Sequence, residues 1–362
     1  MKFIDLQTQY SKHKSPIDAA ISRVLAHQQF LFGPEITELE KKLADYVGVS
    51  DCITMSSGTT ALHVALLALD IQPGDEVITT PFSFFAAAEV IYLMHATPVY
   101  VDIDPETYLL NPSLLEAVIT QKTKAIIPVG LYGQCADMDA INAIAKKHGI
   151  PVIEDAAQSF GATYKNRKSG SLADISCTSF FPSKPLGGYG DSGACFTNNA
   201  ALAKQLRLIM NHGQERRYHH VALGMNARMD SIQAAVLLEK FKFLEEELTL
   251  RQQVASWYGE HLSAVGIKPP TILPYNYSAY AQYTVQVDHR EIVEKKLLEA
   301  GIPTAVHYPV GLHQQPYAIT QQAHHNTFPI TELCAKRVIS LPFHPYMTHD
   351  EVKIVCEKLK DC

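Results

Sequence analysis

Pro151-Val152-Ile153-Glu154-Asp155-Ala156-Ala157-Gln158 runs from a short apolar segment straight into two carboxylates and then into small residues. The apolar part reads as a strand. A carboxylate at its end lies at the C-terminal edge of the strand, where open α/β sheets hold their ligands. On the N-terminal side, Ala125-Ile126-Ile127-Pro128-Val129 reads as a further strand and Met138 to His148 as the helix between the two. Still earlier come strand-like Cys52 to Met55, a helix from Ala61 to Leu69, and strands at Glu76 to Thr79 and Thr97 to Val101. Strand and helix alternate from about Ser50 to Thr197. This pattern predicts an α/β core around a mostly parallel sheet.

Beyond Asp230 the periodicity changes. Asp230 is placed to cap a long helix that carries apolar residues at Val236, Leu237, Phe241, Leu244 and Leu248 and runs on toward Leu262, before Lys268-Pro269-Pro270 breaks it. A strand over Ala281 to Val287, a helix over Ile292 to Ala300 and a short strand at Ala305-Val306 follow. The expected organisation is therefore a large α/β domain, residues 1–245, and a smaller C-terminal α+β domain, residues 246–362.

The chain has 362 residues, 47% of them hydrophobic, and a formal net charge of -6. It can bury a sizeable core, and the mild acidity gives no footing for nucleic acid or an anionic membrane as the main partner. Seven scattered cysteines without a CxxC pair indicate neither a disulfide framework nor a zinc site. With no signal-like apolar run near the start and no membrane-length stretch, a cytoplasmic location is expected and no metal is called for.

Four features carry chemistry. Ser57-Gly58-Thr59, between a strand and a helix, suits an anion, because glycine admits close approach and the helix start supplies N–H groups; taken by itself such a junction is more often an ordinary helix cap. Asp155 is placed to face a protonated ring nitrogen, with an N-cap or a metal ligand as the plainer alternatives. In Ser179-Phe180-Phe181-Pro182-Ser183-Lys184-Pro185-Leu186-Gly187-Gly188, a lysine leaves an apolar strand for a glycine-rich turn. Burial there would lower its pKa, as a Schiff-base lysine requires, and Ser179 could bond a phosphate. The stretch from His212 through Arg216-Arg217-Tyr218-His219-His220 to Asn226 and Arg228 suits an anionic ligand, or is a solvated charged loop.

Taken in order, Gly33-Pro34-Glu35 with Glu40, Ser57-Gly58-Thr59, Pro73-Gly74-Asp75-Glu76-Val77, Glu154 to Gln158, Ser179-Phe180, Lys184, Arg228-Met229-Asp230 and Gln233-Ala234-Ala235 resemble the DegT/DnrJ/EryC1/StrS sugar aminotransferases. The resemblance covers nearly the whole chain. It implies a fold-type I pyridoxal 5'-phosphate enzyme whose large domain is built on a mostly parallel seven-stranded sheet. It further implies that Lys184 carries the cofactor and shuttles the proton, that Asp155 pairs with the ring nitrogen and that Gln158 neighbours the ring hydroxyl. Phe84 would stack on the ring, and Gly58, Thr59 and Ser179 would hold the phosphate with Asn226 of a second subunit, making the enzyme a homodimer. The runs at 216–220, 279–285, 303–309 and 340–346 resemble the branch that aminates UDP-2-acetamido-2-deoxy-3-oxo-glucuronate with glutamate for bacterial O-antigen (lipopolysaccharide) synthesis. By that likeness Arg228, His307 and Tyr308 contact the sugar nucleotide. Relatives that dehydrate sugars carry histidine in place of the lysine, and a non-catalytic regulatory member would be expected to lose Asp155 or Lys184; both residues are present. Ser192 departs from the family's glycine, a poor exchange if that position needs a positive φ.

Overall fold

The computed structural model describes residues 1–321 and 327–361. Seven strands form its centre: β1 (Asp51–Met55), β2 (Glu76–Thr79), β3 (Thr97–Tyr100), β4 (Thr123–Ile127), β5 (Ile153–Asp155), β6 (Ile175–Ser179) and β7 (Gly193–Thr197). Ladders run β3-β2-β4 and β5-β6-β7-β1. Parallel bridges Ile126 to Val152 and Val129 to Asp155 join β4 to β5, so the order across the sheet is β3-β2-β4-β5-β6-β7-β1. Only β7 runs against its neighbours. The expected mostly parallel seven-stranded sheet is present.

Its strands are apolar because both faces are covered. Ile53, Met55, Ile78, Ile126, Ile153, Ile175 and Cys195 are all buried, each isoleucine or methionine among them worth about 1.5–3 kcal/mol. Since β1, β2, β5 and β6 are parallel, their C-terminal ends open on one edge, and the loops carrying Gly58, Phe84, Asp155 and Lys184 leave the sheet together.

The long helix expected after Asp230 is two helices, Ser231–Phe241 and Leu244–Ala264. Asp230 stands at the N-cap position but makes no side-chain capping bond. The break frees Phe243 to stack on His13, ring centroids 3.5 Å apart. Three glutamates, Glu245, Glu246 and Glu247, then open the second helix, where its dipole favours them. Continuous apolar spacing across 236–248 cannot reveal such a break. The strand at Ala281 to Val287 shortens to Tyr283–Gln286 and pairs antiparallel with Val338–Leu341. Ala305 makes a single bridge to Ser340 rather than a strand. A separate apolar cluster, including Val254, Tyr258, Leu262, Tyr283, Ile339, Phe343 and Val355, packs this C-terminal part.

Six cysteines are free and buried; Cys362 lies outside the described residues. Among the described residues no helix is long and apolar enough to cross a membrane. No group of three or more side chains there could hold a metal ion.

Candidate active site

In β5 successive side chains point to opposite faces, which separates its two carboxylates. Glu154 is buried and fully occupied: it accepts from Ser169 Oγ and Ser176 Oγ, both at 2.7 Å, and from the N–H groups of Gly170 and Leu172. It ties the sheet to the 169–172 turn and takes no part in the cavity. Asp155 faces the other way, into a cavity of about 480 Å³ lined also by Ser57, Gly58, Thr59, Phe84, Gln158, Ser179, Lys184, Gln282, His307 and Tyr308. Its Oδ1 accepts from the Ala157 N–H at 3.0 Å, so the turn-capping reading holds alongside the site reading. Burial raises the pKa of Asp155, opposed by that N–H and by the charge of Lys184.

Lys184 sits in a loop closed by backbone bonds from Lys184 N to Phe181 O (2.9 Å), Gly188 N to Phe180 O (2.7 Å) and Phe180 N to Ser192 O (2.8 Å). Although the residue is only partly covered, its amine lies deep enough for desolvation to lower its pKa to about 8, against the pull of Asp155. That is the poised amine expected from the sequence. Ser192 is buried and does not have a positive φ, so the serine costs the turn nothing.

The anion cradle also has a geometric basis. Ser57 caps the Gly58–Ala68 helix through a reciprocal bond pair with Thr60, leaving the first N–H groups of the helix without intrahelical partners. A Cβ on Gly58 would stand 2.7 Å from Ser179 Cβ, so only glycine lets the helix start approach β6 this closely. Ser179 Oγ accepts from Phe181 N at 3.2 Å.

Gln158 is held on both sides: Tyr132 N donates to its Oε1 at 2.9 Å, and its Nε2 donates to Tyr308 Oη at 3.3 Å. Tyr132 Oη in turn donates to the carbonyl of His307. His307 Nδ1 lies 2.8 Å from Ser340 Oγ, and burial followed by the Lys184 charge lowers its pKa to about 4, so the ring is neutral near pH 7. Burial raises the Tyr308 phenol. Phe84 stands at the cavity mouth, 56% exposed and 6.3 Å from Tyr308 between ring centroids.

Asn226 and Arg228 are elsewhere. Asn226 is exposed and bridges to Asn211; Arg228 Nη1 donates to Asn211 Oδ1 at 2.9 Å, and its Nε is buried without a partner. Neither lines this chain's cavity. Sequence reasoning gave no role to Ser83, Ser183, Asp191 or Gln282, which do line it. Gln282 lies in the 279–285 run, which the sequence marks only by its likeness to relatives, because a loop residue about a hundred positions from Lys184 belongs to no local motif.

The residues fit pyridoxal phosphate: a buried carboxylate for the ring nitrogen, a desolvated amine for the aldehyde, and free N–H groups with hydroxyls for the phosphate. The fold and this cavity define a pyridoxal-phosphate-dependent aminotransferase. The chain belongs to the DegT/DnrJ/EryC1/StrS aminotransferase family, whose sequence profile matches residues 12–360. It is 56% identical over 359 residues, 99% of each chain, to the UDP-2-acetamido-2-deoxy-3-oxo-D-glucuronate aminotransferase of Pseudomonas aeruginosa. The crystal structure of a DegT DnrJ EryC1 StrS aminotransferase from Brucella abortus superposes with a TM-score of 0.96 at 40% identity, covering 100% of this chain and 99% of that one. That of DesV from S. venezuelae, in complex with a ketimine intermediate, gives 0.96 at 35% identity, covering 99% and 97%.

Proposed function

We propose that this enzyme aminates a UDP-linked 3-keto sugar acid, UDP-2-acetamido-2-deoxy-3-oxo-D-glucuronate, with L-glutamate as nitrogen donor and 2-oxoglutarate as the second product. The observation that carries the reading is the cavity in which Lys184, Asp155 and the Gly58–Ser179 cradle meet, in a chain 56% identical to an enzyme named for that substrate. Its setting would be cytoplasmic synthesis of surface polysaccharide such as the O-antigen of lipopolysaccharide. The same reading divides the chain at 245/246, supported by the separate C-terminal apolar cluster.

Pyridoxal phosphate, when bound, takes up the amino group and withdraws electrons from the carbon that bears it. Lys184 Nζ, with its pKa near 8, removes the proton from the α-carbon of glutamate and later delivers a proton to C3 of the sugar. The Asp155 carboxylate keeps the ring nitrogen protonated, and Gln158, fixed by Tyr132 and Tyr308, neighbours the ring hydroxyl. Gly58, Thr59 and Ser179 hold the phosphate, and Phe84 covers the ring face. His307 and Tyr308 bind the sugar as neutral groups. Because both substrates use one site in turn, the kinetics are ping-pong. Incubation of the enzyme with a panel of UDP- and dTDP-linked 3- and 4-keto sugars plus glutamate, read by mass spectrometry, tests the assignment. Only the UDP-linked 3-keto uronate should be turned over efficiently, and a clear preference for a 4-keto or non-uronate sugar would replace it with another nucleotide-sugar amination.

The active unit is a homodimer. Among the described residues lining the cavity, Lys184 is the one Lys or Arg, beside two acids, Asp155 and Asp191. A cofactor phosphate, a substrate carboxylate and a diphosphate need more positive charge than that. Asn226 and Arg228 of a second copy supply the missing contacts. Exposed Phe30, Leu31 and Phe32 give that copy an apolar surface to cover. Mixing Lys184→Ala with the double variant Asn226→Asp, Arg228→Ala should therefore restore activity after subunit exchange. In the heterodimer one site takes both lesions and the other takes none, so up to about half of its sites recover. Exchange proven by mass spectrometry without any recovered activity would put both residues outside the partner's site.

A further inference from the structure

We infer that Gln282 determines specificity in the sugar half of the reaction, its side-chain oxygen accepting a hydrogen bond from a hydroxyl or amide N–H of the bound sugar. This rests on the substrate reading above. Gln282 lines the cavity with Lys184, His307 and Tyr308, yet its Oε1 is buried and has no hydrogen-bond partner.

The backbone that carries it is clamped. Gln282 N donates to Tyr132 O at 3.4 Å, Ala279 N to Gly133 O at 2.8 Å, and Arg251 Nη1 to Tyr280 O at 2.9 Å. Gly133 has φ +113°, and a Cβ there would stand 2.4 Å from Tyr280 N, so the two loops touch backbone to backbone. The next residue, Tyr283, is already paired with Leu341. Gln282 is thus held against the turn whose Tyr132 N–H also holds Gln158.

A buried acceptor left unpaired opposes folding, and such groups in native proteins are nearly always satisfied. Here the partner comes from the ligand. Once its amine is engaged in transfer, glutamate presents only carboxylates, which accept and cannot donate. The sugar presents hydroxyls and an acetamido N–H. Gln282 Oε1 can pair with the second substrate and not with the first. A site built around such a bond also rejects a sugar that lacks the donor.

The test compares wild-type holoenzyme with Gln282→Leu and with the near-isosteric Gln282→Met. Three quantities are read: the single-turnover absorbance change with glutamate alone, the reverse change with the keto sugar, and calorimetric affinity for the UDP-amino sugar product. Expected are a glutamate step within about twofold of wild type, and product affinity and sugar-step KM both worsened about tenfold, the size of one neutral hydrogen bond. A product analogue lacking the paired donor, either 4-deoxy or with the acetamido nitrogen methylated, should bind wild type about tenfold more weakly and the variants no more weakly than the full sugar does. Equal losses in both steps, unchanged product affinity, a loss of cofactor affinity, or additive effects of variant and both analogues would each overturn the assignment while leaving the substrate reading intact. A wild-type enzyme that aminates no UDP-linked sugar fails the substrate reading, and this assignment with it.

Discussion

Lys184→Ala is expected to lower transamination by at least about 10³-fold while the chain stays folded, since the variant loses both the attachment point for the cofactor and the base. The loop does not depend on the side chain: its bonds run through the backbone of Phe180, Phe181, Lys184 and Gly188. Removing an amine that burial has already pushed down to about 8 also relieves a desolvated charge, so the melting temperature should hold or rise slightly. Cofactor affinity should fall less than activity, because the phosphate cradle and Asp155 remain. The check is release of 2-oxoglutarate from glutamate together with a thermal melt. Turnover near the wild-type rate, with no amine added to the buffer, would end the assignment of Lys184.

Asp155→Asn is expected to retain the cofactor and lose at least about 10²-fold in rate, because an amide cannot hold the ring nitrogen protonated. Two observables separate this from simple disruption. The Asp155 charge opposes the burial that lowers the Lys184 amine, so its removal should move the free amine's titration further below about 8 and shift the rising limb of the pH–rate profile, where that base loses its proton, toward lower pH. Oδ1 also receives the Ala157 N–H, a bond that asparagine can keep through its own oxygen, so the turn after β5 should survive. A variant within a few-fold of wild type, with an unmoved pH profile, would leave Asp155 as a turn cap and nothing more.

Much of this protein is legible in one dimension because its informative features are local. Strand–turn–helix junctions, the run into Asp155 and the lysine at the edge of a glycine-rich turn are each built from neighbours in the chain. The alternating pattern accordingly located five of the seven central strands to within a few residues, and the junction motifs held Gly58, Thr59, Phe84, Asp155, Gln158, Ser179 and Lys184, all of which line the cavity. Parallel strands with both faces covered must be apolar, and parallel strands bring their C-terminal loops together.

Other properties needed the chain to be folded. Glu154 and Asp155 are equivalent carboxylates in the sequence. One residue of strand pleat sends the first to Ser169, Ser176 and the 170–172 backbone and the second into the cavity. The break between the two helices at Phe243 places its ring on His13, far away in sequence, and no periodicity records it. Burial beside Lys184 keeps His307 neutral well below the ordinary histidine range, down to about pH 4, and Gln282 matters only because the turn at Tyr132 and Gly133 holds it against the cavity with an oxygen unpaired. The sequence by itself determined the fold and which residues are candidates for the chemistry, since propensity, patterning and motif act between near neighbours. The tertiary structure alone decided which carboxylate is structural, which ring stays uncharged and which amide waits for a ligand, because desolvation and hydrogen-bond satisfaction are set by groups from distant parts of the chain.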